Sequence, residues 1–113
     1  MHLIIDGVLV RHLEKEDIGL ILSELPAEIG MKILEGPYIV EGHQENPGLT
    51  GFVIIDTSHI SIHTFDEGSK IAFDIFSCRP FDEDTVLRYL KKRVPFERFH
   101  KQILTRTEEI DQD

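Results

Sequence analysis

A chain of 113 residues, 41% hydrophobic and 29% charged, has the size and balance of one globular domain. Twelve Lys and Arg against 21 Asp and Glu leave a net charge of −9, which argues against nucleic acid or an anionic membrane as partner, because both are bound through basic patches. No uncharged apolar run approaches the ~20 residues of a bilayer span, and an acid at Asp6 interrupts the N-terminus where a signal peptide would stay apolar. The single cysteine, Cys78, leaves no internal disulfide or Cys-based zinc knuckle to expect, and points to a reducing cytoplasm. An acidic surface suits a cationic small substrate.

In chain order, His2–Val10 is dominated by Leu, Ile and Val and reads as a buried strand. From Glu14 to Ile29, Ile18, Ile21, Leu22 and Leu25 recur at helical spacing; Glu16 and Asp17 favour the positive end of the dipole, and Pro26 with Gly30 marks the stop. Met31–Val40 is extended but interrupted at Gly36-Pro37, since proline donates nothing to a ladder. The glycine-rich stretch Glu41–Gly51 reads as an irregular loop and Phe52–Asp56 as a buried strand. Ser58–Thr64 alternates with period two, placing His59, Ser61 and His63 on one face. After the turn Asp66–Ser69, a further alternating run, Lys70–Cys78, predicts an antiparallel hairpin. Phe81–Val94 is a second amphipathic helix with Val86, Leu87, Leu90 and Val94 inward, Lys91, Lys92 and Arg93 in its last turn, and Pro95 as its stop. Phe96–Thr107 is a charge-rich final strand, suited to a sheet edge.

With no linker or repeat, residues 1–113 read as a single domain. The order, written β-α-β-β-β-α-β, predicts an α+β fold with two helices on one face of a mainly antiparallel sheet. The other sheet face then needs water or a partner, and a homodimer would cover it.

Taken as residues alone, His59, Ser61 and His63 fit the solvated face of an antiparallel sheet. A metal site is poorly supported, because four residues along a strand separate His59 and His63 by about 13 Å. Asp56, Ser58 and His63 contain the parts of a hydrolytic triad, but no Gly-x-Ser-x-Gly elbow surrounds Ser58. Cys78 by itself reads as a small buried hydrophobe.

The segment Gly48-Leu49-Thr50-Gly51-Phe52-Val53-Ile54-Ile55-Asp56-Thr57-Ser58-His59-Ile60-Ser61-Ile62-His63-Thr64, with Cys78 following at its offset, resembles the prokaryotic S-adenosylmethionine decarboxylase proenzymes. The similarity is close from Gly48 to Cys78 and looser elsewhere. It implies a pyruvoyl-dependent decarboxylase of polyamine biosynthesis, whose Ser58 hydroxyl attacks the Thr57 carbonyl and splits the chain into 1–57 and 58–113. Residue 58 would then carry a pyruvoyl group that condenses with the substrate amine and accepts the electrons left as CO2 departs. By the same resemblance, His63 promotes processing and Thr50 stands at a processing hydroxyl. Cys78 returns a proton to the decarboxylated carbon, and Glu67 holds the charged end of S-adenosylmethionine. The sequence departs from the family pattern at Thr57, where glutamate is usual, at Asp66, where proline is usual, and at Gln44, aligned with an aromatic residue that stacks on adenine. Those departures keep two alternatives open: a pyruvoyl decarboxylase of arginine or ornithine, and a relative that binds ligand without processing. Ser58 and His63 would lie about 16 Å apart on opposite faces of a straight strand, so the site needs either a bend or a second subunit.

Overall fold

The segment Ser58–Phe65 alternates strictly between the interior and the exterior, and this alternation organises the molecule. In the computed structural model, residues 1–106 are described; Thr107, expected to end the final strand, lies outside the described residues. The elements are β1 (His2–Leu9), α1 (Lys15–Glu28), β2 (Ile33–Glu41), β3 (Leu49–Ile55), β4 (Ser58–Phe65), a 3-10 turn at Glu67–Ser69, β5 (Lys70–Phe76), α2 (Glu83–Arg93) and β6 (Phe96–Leu104). The fold is α+β, as expected. Four strands lie between the helices, one more than the order β-α-β-β-β-α-β, because the stretch interrupted at Gly36-Pro37 forms a strand with two register shifts.

All neighbouring strands pair antiparallel in one six-stranded sheet, ordered β2-β3-β4-β5-β1-β6, with β6 at an edge. Side chains directly opposite share a face. The inner face carries Leu3, Ile5, Val53, Ile55, Ile60, Ile62, Ile71, Phe73 and Ile75, packed in one core with Ile18, Ile21, Leu22 and Leu25 of α1 and Val86 and Leu90 of α2. Burying each such side chain contributes roughly 1.5–3 kcal/mol. Gly51 lets the first helix settle onto the sheet: a Cβ there would lie 2.8 Å from both Ile18 Cγ2 and Leu22 Cδ1.

Both helices are capped from their own sequence. In α1 the Glu14 N–H donates to Asp17 Oδ2 at 2.8 Å; in α2 the Asp82 carboxylate accepts from the Asp84 N–H at 3.0 Å. Pro26, expected at the boundary, lies inside the last turn of α1, which runs on to Glu28. Its ring is buried, and its carbonyl accepts from the Ile29 and Met31 N–H groups.

Two further expectations are corrected. Phe52–Asp56 is not buried throughout: Val53 and Ile55 face the core, while Phe52 and Ile54 face outward and are each 39% exposed. The irregular loop is shorter than Glu41–Gly51, since Glu41 belongs to β2 and Leu49–Gly51 to β3. Pairing across the hairpin wins over the glycine content there.

The outer face is a grid of cross-strand rows. One row reads Thr50–His63–Ala72–Asp6–His100, the next Phe52–Ser61–Asp74–Ile4–Gln102, and the third Ile54–His59–Phe76–His2–Leu104. Among the described residues no helix covers this face; α1 and α2 pack on the other side.

Candidate active site

The β3–β4 connection is a two-residue hairpin: Ile55 pairs with Ser58, and Asp56 and Thr57 form the tip. Thr57 adopts φ 45°, the left-handed region that strains a β-branched residue. The turn throws its polar groups against the segment that leaves β5. Ser58, 5% exposed, donates through Oγ to the Asp56 carbonyl at 2.9 Å and accepts from the Cys78 N–H at 3.0 Å. The Thr57 hydroxyl donates to Cys78 Sγ at 3.0 Å, and the thiol in turn reaches the Asp56 carbonyl at 3.6 Å.

These contacts set the chemistry of Cys78. The hydrogen bond from Thr57 and then that from Ser58 hold the thiol below the ordinary cysteine value, with the Arg79 guanidinium adding to the same side and partial desolvation opposing. Cys78 is exposed, not the buried hydrophobe that its residue type alone suggests. Its neighbours are fixed by the chain start: the Met1 ammonium donates to the Ser77 carbonyl at 2.9 Å, and the Ser77 N–H donates to the Met1 carbonyl at 2.8 Å.

Thr50 and His63 meet at the other end of β4. They are direct cross-strand partners, with Thr50 Oγ1 3.0 Å from His63 Nδ1. Together with Gly42, His43, Asn46, Gly48, Thr64 and Phe65 they line a cavity of about 210 Å³. Its wall is the Gly42–Gly48 loop, closed by Gly42 N–H to the Gly48 carbonyl (2.8 Å) and pinned by Asp66 N–H to the Pro47 carbonyl (3.0 Å). Gly48 is required here, because a Cβ would collide with the Thr64 carbonyl oxygen. Glu67 is exposed at the adjoining turn, beside Phe65 and Lys70 in a neighbouring open cleft, so it belongs to the His63 end. Gln44 lines a further cleft on the loop's other side with His12, Glu14 and Asp66.

The six expected site residues therefore fall into two groups. Ser58, Thr57 and Cys78 are in contact; Thr50, His63 and the nearby Glu67 form the second set. Strand β4 runs unbroken between them, and five residues at ~3.3 Å put the two groups ~16 Å apart. Asp56 and Arg79 were not singled out as partners from sequence: Arg79 Nη2 lies 3.3 Å from Asp56 Oδ2, joining the hairpin tip to the Cys78 segment. Opposite charges flanking the Ser58 and Cys78 segments are the signal that could have found them.

Between the two groups, the outer face carries an aromatic–histidine cluster. His59 stacks on Phe76 with centroids 5.6 Å apart, His2 meets the same ring edge-on, and His2 Nε2 lies 3.2 Å from Asp74 Oδ1. Desolvation first, then the neighbouring His2, pushes the His59 imidazole below its ordinary value.

Known proteins are similar to this chain over most of its length. The family model for S-adenosylmethionine decarboxylase matches residues 1–107. The S-adenosylmethionine decarboxylase proenzyme of Clostridium botulinum (strain Langeland / NCTC 10281 / Type F) is 37% identical over 109 residues, covering 91% of this chain and 90% of the relative. The proenzyme of the same name from Sulfurihydrogenibium sp. (strain YO3AOP1) is 49% identical over 37 residues, 32% of this chain and 28% of the relative. Among solved structures, the adenosylmethionine decarboxylase of Aquifex aeolicus VF5 superposes with a TM-score of 0.75 at 23% identity, covering 93% of this chain and 88% of that one, a likeness of fold.

Proposed function

The chain belongs to the S-adenosylmethionine decarboxylase family, and we propose that it decarboxylates S-adenosylmethionine after cutting its own Thr57–Ser58 bond. The observation that carries this reading is the meeting of Ser58, Thr57 and Cys78 at one strained hairpin tip. The shared name of the relatives favours S-adenosylmethionine over arginine or ornithine. The decarboxylated product is then the aminopropyl donor of polyamine synthesis.

Processing needs only the chain and water. Ser58 Oγ adds to the Thr57 carbonyl carbon while its proton passes to the departing nitrogen, so the amide becomes an ester with a free amine at residue 58. Loss of the Ser58 Cα proton breaks the Cβ–O bond, leaving Thr57 as a carboxylate and residue 58 unsaturated. Water then replaces the nitrogen, released as ammonia, and residue 58 ends as a ketone. The donor set suits a pyruvoyl group: Ser58 supplies all its carbons, and the Cys78 N–H already points at the Ser58 oxygen. That group supplies an electrophilic carbonyl and an electron sink.

The chain's own residues do the rest. Cys78 is the proton donor to the carbon that loses CO2, a task for the protonated thiol. His63, with Nδ1 on the Thr50 hydroxyl, moves the proton that processing releases. Glu67 meets the cationic end of the substrate.

Because β4 runs unbroken from Ser58 to Phe65, His63 and Thr50 would act on the Ser58 of a second copy. The uncovered outer face suits a homodimer stacked sheet to sheet, since Tyr38, Val40, Phe52 and Ile54 form an exposed apolar patch on it. Mass spectrometry of purified protein tests the reading. Fragments 1–57 and 58–113, with labelled CO2 released from S-adenosylmethionine rather than arginine or ornithine, are expected; a persistent 13.0 kDa chain contradicts it.

A further inference from the structure

The Asp56–Arg79 contact lies outside the roles assigned above. Asp56 does two things at the tip of the β3–β4 hairpin. Its backbone carbonyl accepts from both Ser58 Oγ and Cys78 Sγ, and its carboxylate pairs with Arg79 at 3.3 Å. Arg79 is fixed in turn by its own backbone, whose N–H donates to Ser77 Oγ at 3.1 Å and whose carbonyl accepts from the same hydroxyl. Ser77 is fully buried and held by Met1, so the Arg79 backbone is anchored while its half-exposed side chain reaches Asp56. Opening the Thr57–Ser58 bond would create a carboxylate on Thr57, between the Asp56 carboxylate and the Cys78 sulfur. Two anions side by side next to a thiol demand a cation, and Arg79 is the cation that the described ion pairs put at that tip.

We propose that Arg79 is a positioning residue of this site: through Asp56 it clamps the hairpin tip onto the Cys78 segment before cleavage, and afterwards it captures the new Thr57 carboxylate. This rests on the proposed cleavage. Among the described residues, the Arg79 guanidinium is the charge that acts on Cys78, with the Asp56 carboxylate paired to it, the Met1 ammonium anchored one residue away on Ser77 and Arg106 over the Phe76 ring; cleavage would add the Thr57 carboxylate. Neutralising Arg79 removes the cation and leaves the anions, so the thiol should hold its proton to higher pH.

The test uses wild type, Arg79→Gln, Arg79→Lys and Asp56→Asn. Intact mass follows cleavage over time, and iodoacetamide alkylation against pH follows the Cys78 thiol in a Ser58→Ala background. Carboxypeptidase trimming of the 1–57 fragment follows its new end. An exposed ion pair is a modest contact, so Arg79→Gln should slow cleavage about threefold and raise the alkylation midpoint by about half a pH unit. It should also let carboxypeptidase shorten the 1–57 fragment several times faster than in wild type, and Arg79→Lys should restore most of each. Asp56→Asn should slow cleavage while leaving the fragment end protected. Unchanged trimming in Arg79→Gln overturns the capture, and unchanged cleavage and alkylation overturn the clamp. If wild type never splits, the cleavage reading and the capture fall together, and alkylation of the uncut chain still decides the clamp.

Discussion

The two ends of β4 solve opposite problems with the same strand. At the Ser58 end the chain is pinched: a two-residue turn, a left-handed threonine, and a buried hydroxyl held between two backbone groups. At the His63 end it is open, with an imidazole on a threonine hydroxyl beside a cavity walled by a glycine-rich loop. In the proposed reading, the pinched end would hold the bond to be cut and the open end the proton carrier. A continuous strand keeps them apart, so by the proposed reading one chain would supply halves of two sites.

The largest effect separating the ends is expected from Ser58→Ala. It should abolish both fragments and all CO2 release, while circular dichroism stays that of the wild type, because the ladder around residue 58 needs no side chain. His63→Ala should slow fragment formation by about 10²–10⁴-fold, the usual contribution of a positioned proton-transfer group. Gly48→Ala should damage the open end alone. Its Cβ meets the Thr64 carbonyl, so the loop must move, at about 1–3 kcal/mol of stability read as a lower denaturant midpoint. The smallest change should come from Thr57→Gly. Removing the left-handed strain should stabilise the uncut chain by about 1 kcal/mol. Losing the hydroxyl that holds the Cys78 thiolate should move its alkylation midpoint to higher pH.

Much of this was legible in the sequence wherever polarity and period coincide. Ser58–Thr64 alternates cleanly, and its partner run Lys70–Cys78 does too, so the hairpin and the shared face of His59, Ser61 and His63 could be read directly. The alternation of β3 was hidden because its outward residues, Phe52 and Ile54, are as apolar as its inward ones. Period analysis cannot separate such exposed apolar residues from buried ones. Thr50 opposite His63 follows from the two-residue turn, once that turn is placed at Asp56-Thr57. The Asp56–Arg79 pair left only the signal of opposite charges flanking the two segments, since it joins connections beyond the ladders, where no register fixes a contact.

The division of one strand between two sites is tested most directly by mixing two inactive chains. His63→Ala and Ser58→Ala are produced together, distinguished by a mass label, and each is followed by intact mass. The account predicts that the His63→Ala chain is cut at Thr57–Ser58 when Ser58→Ala is present, far faster than when alone, because the partner lends its His63. If the His63→Ala chain is cut no faster in the mixture, with mixed dimers demonstrably formed, the two ends of β4 do not serve each other across an interface.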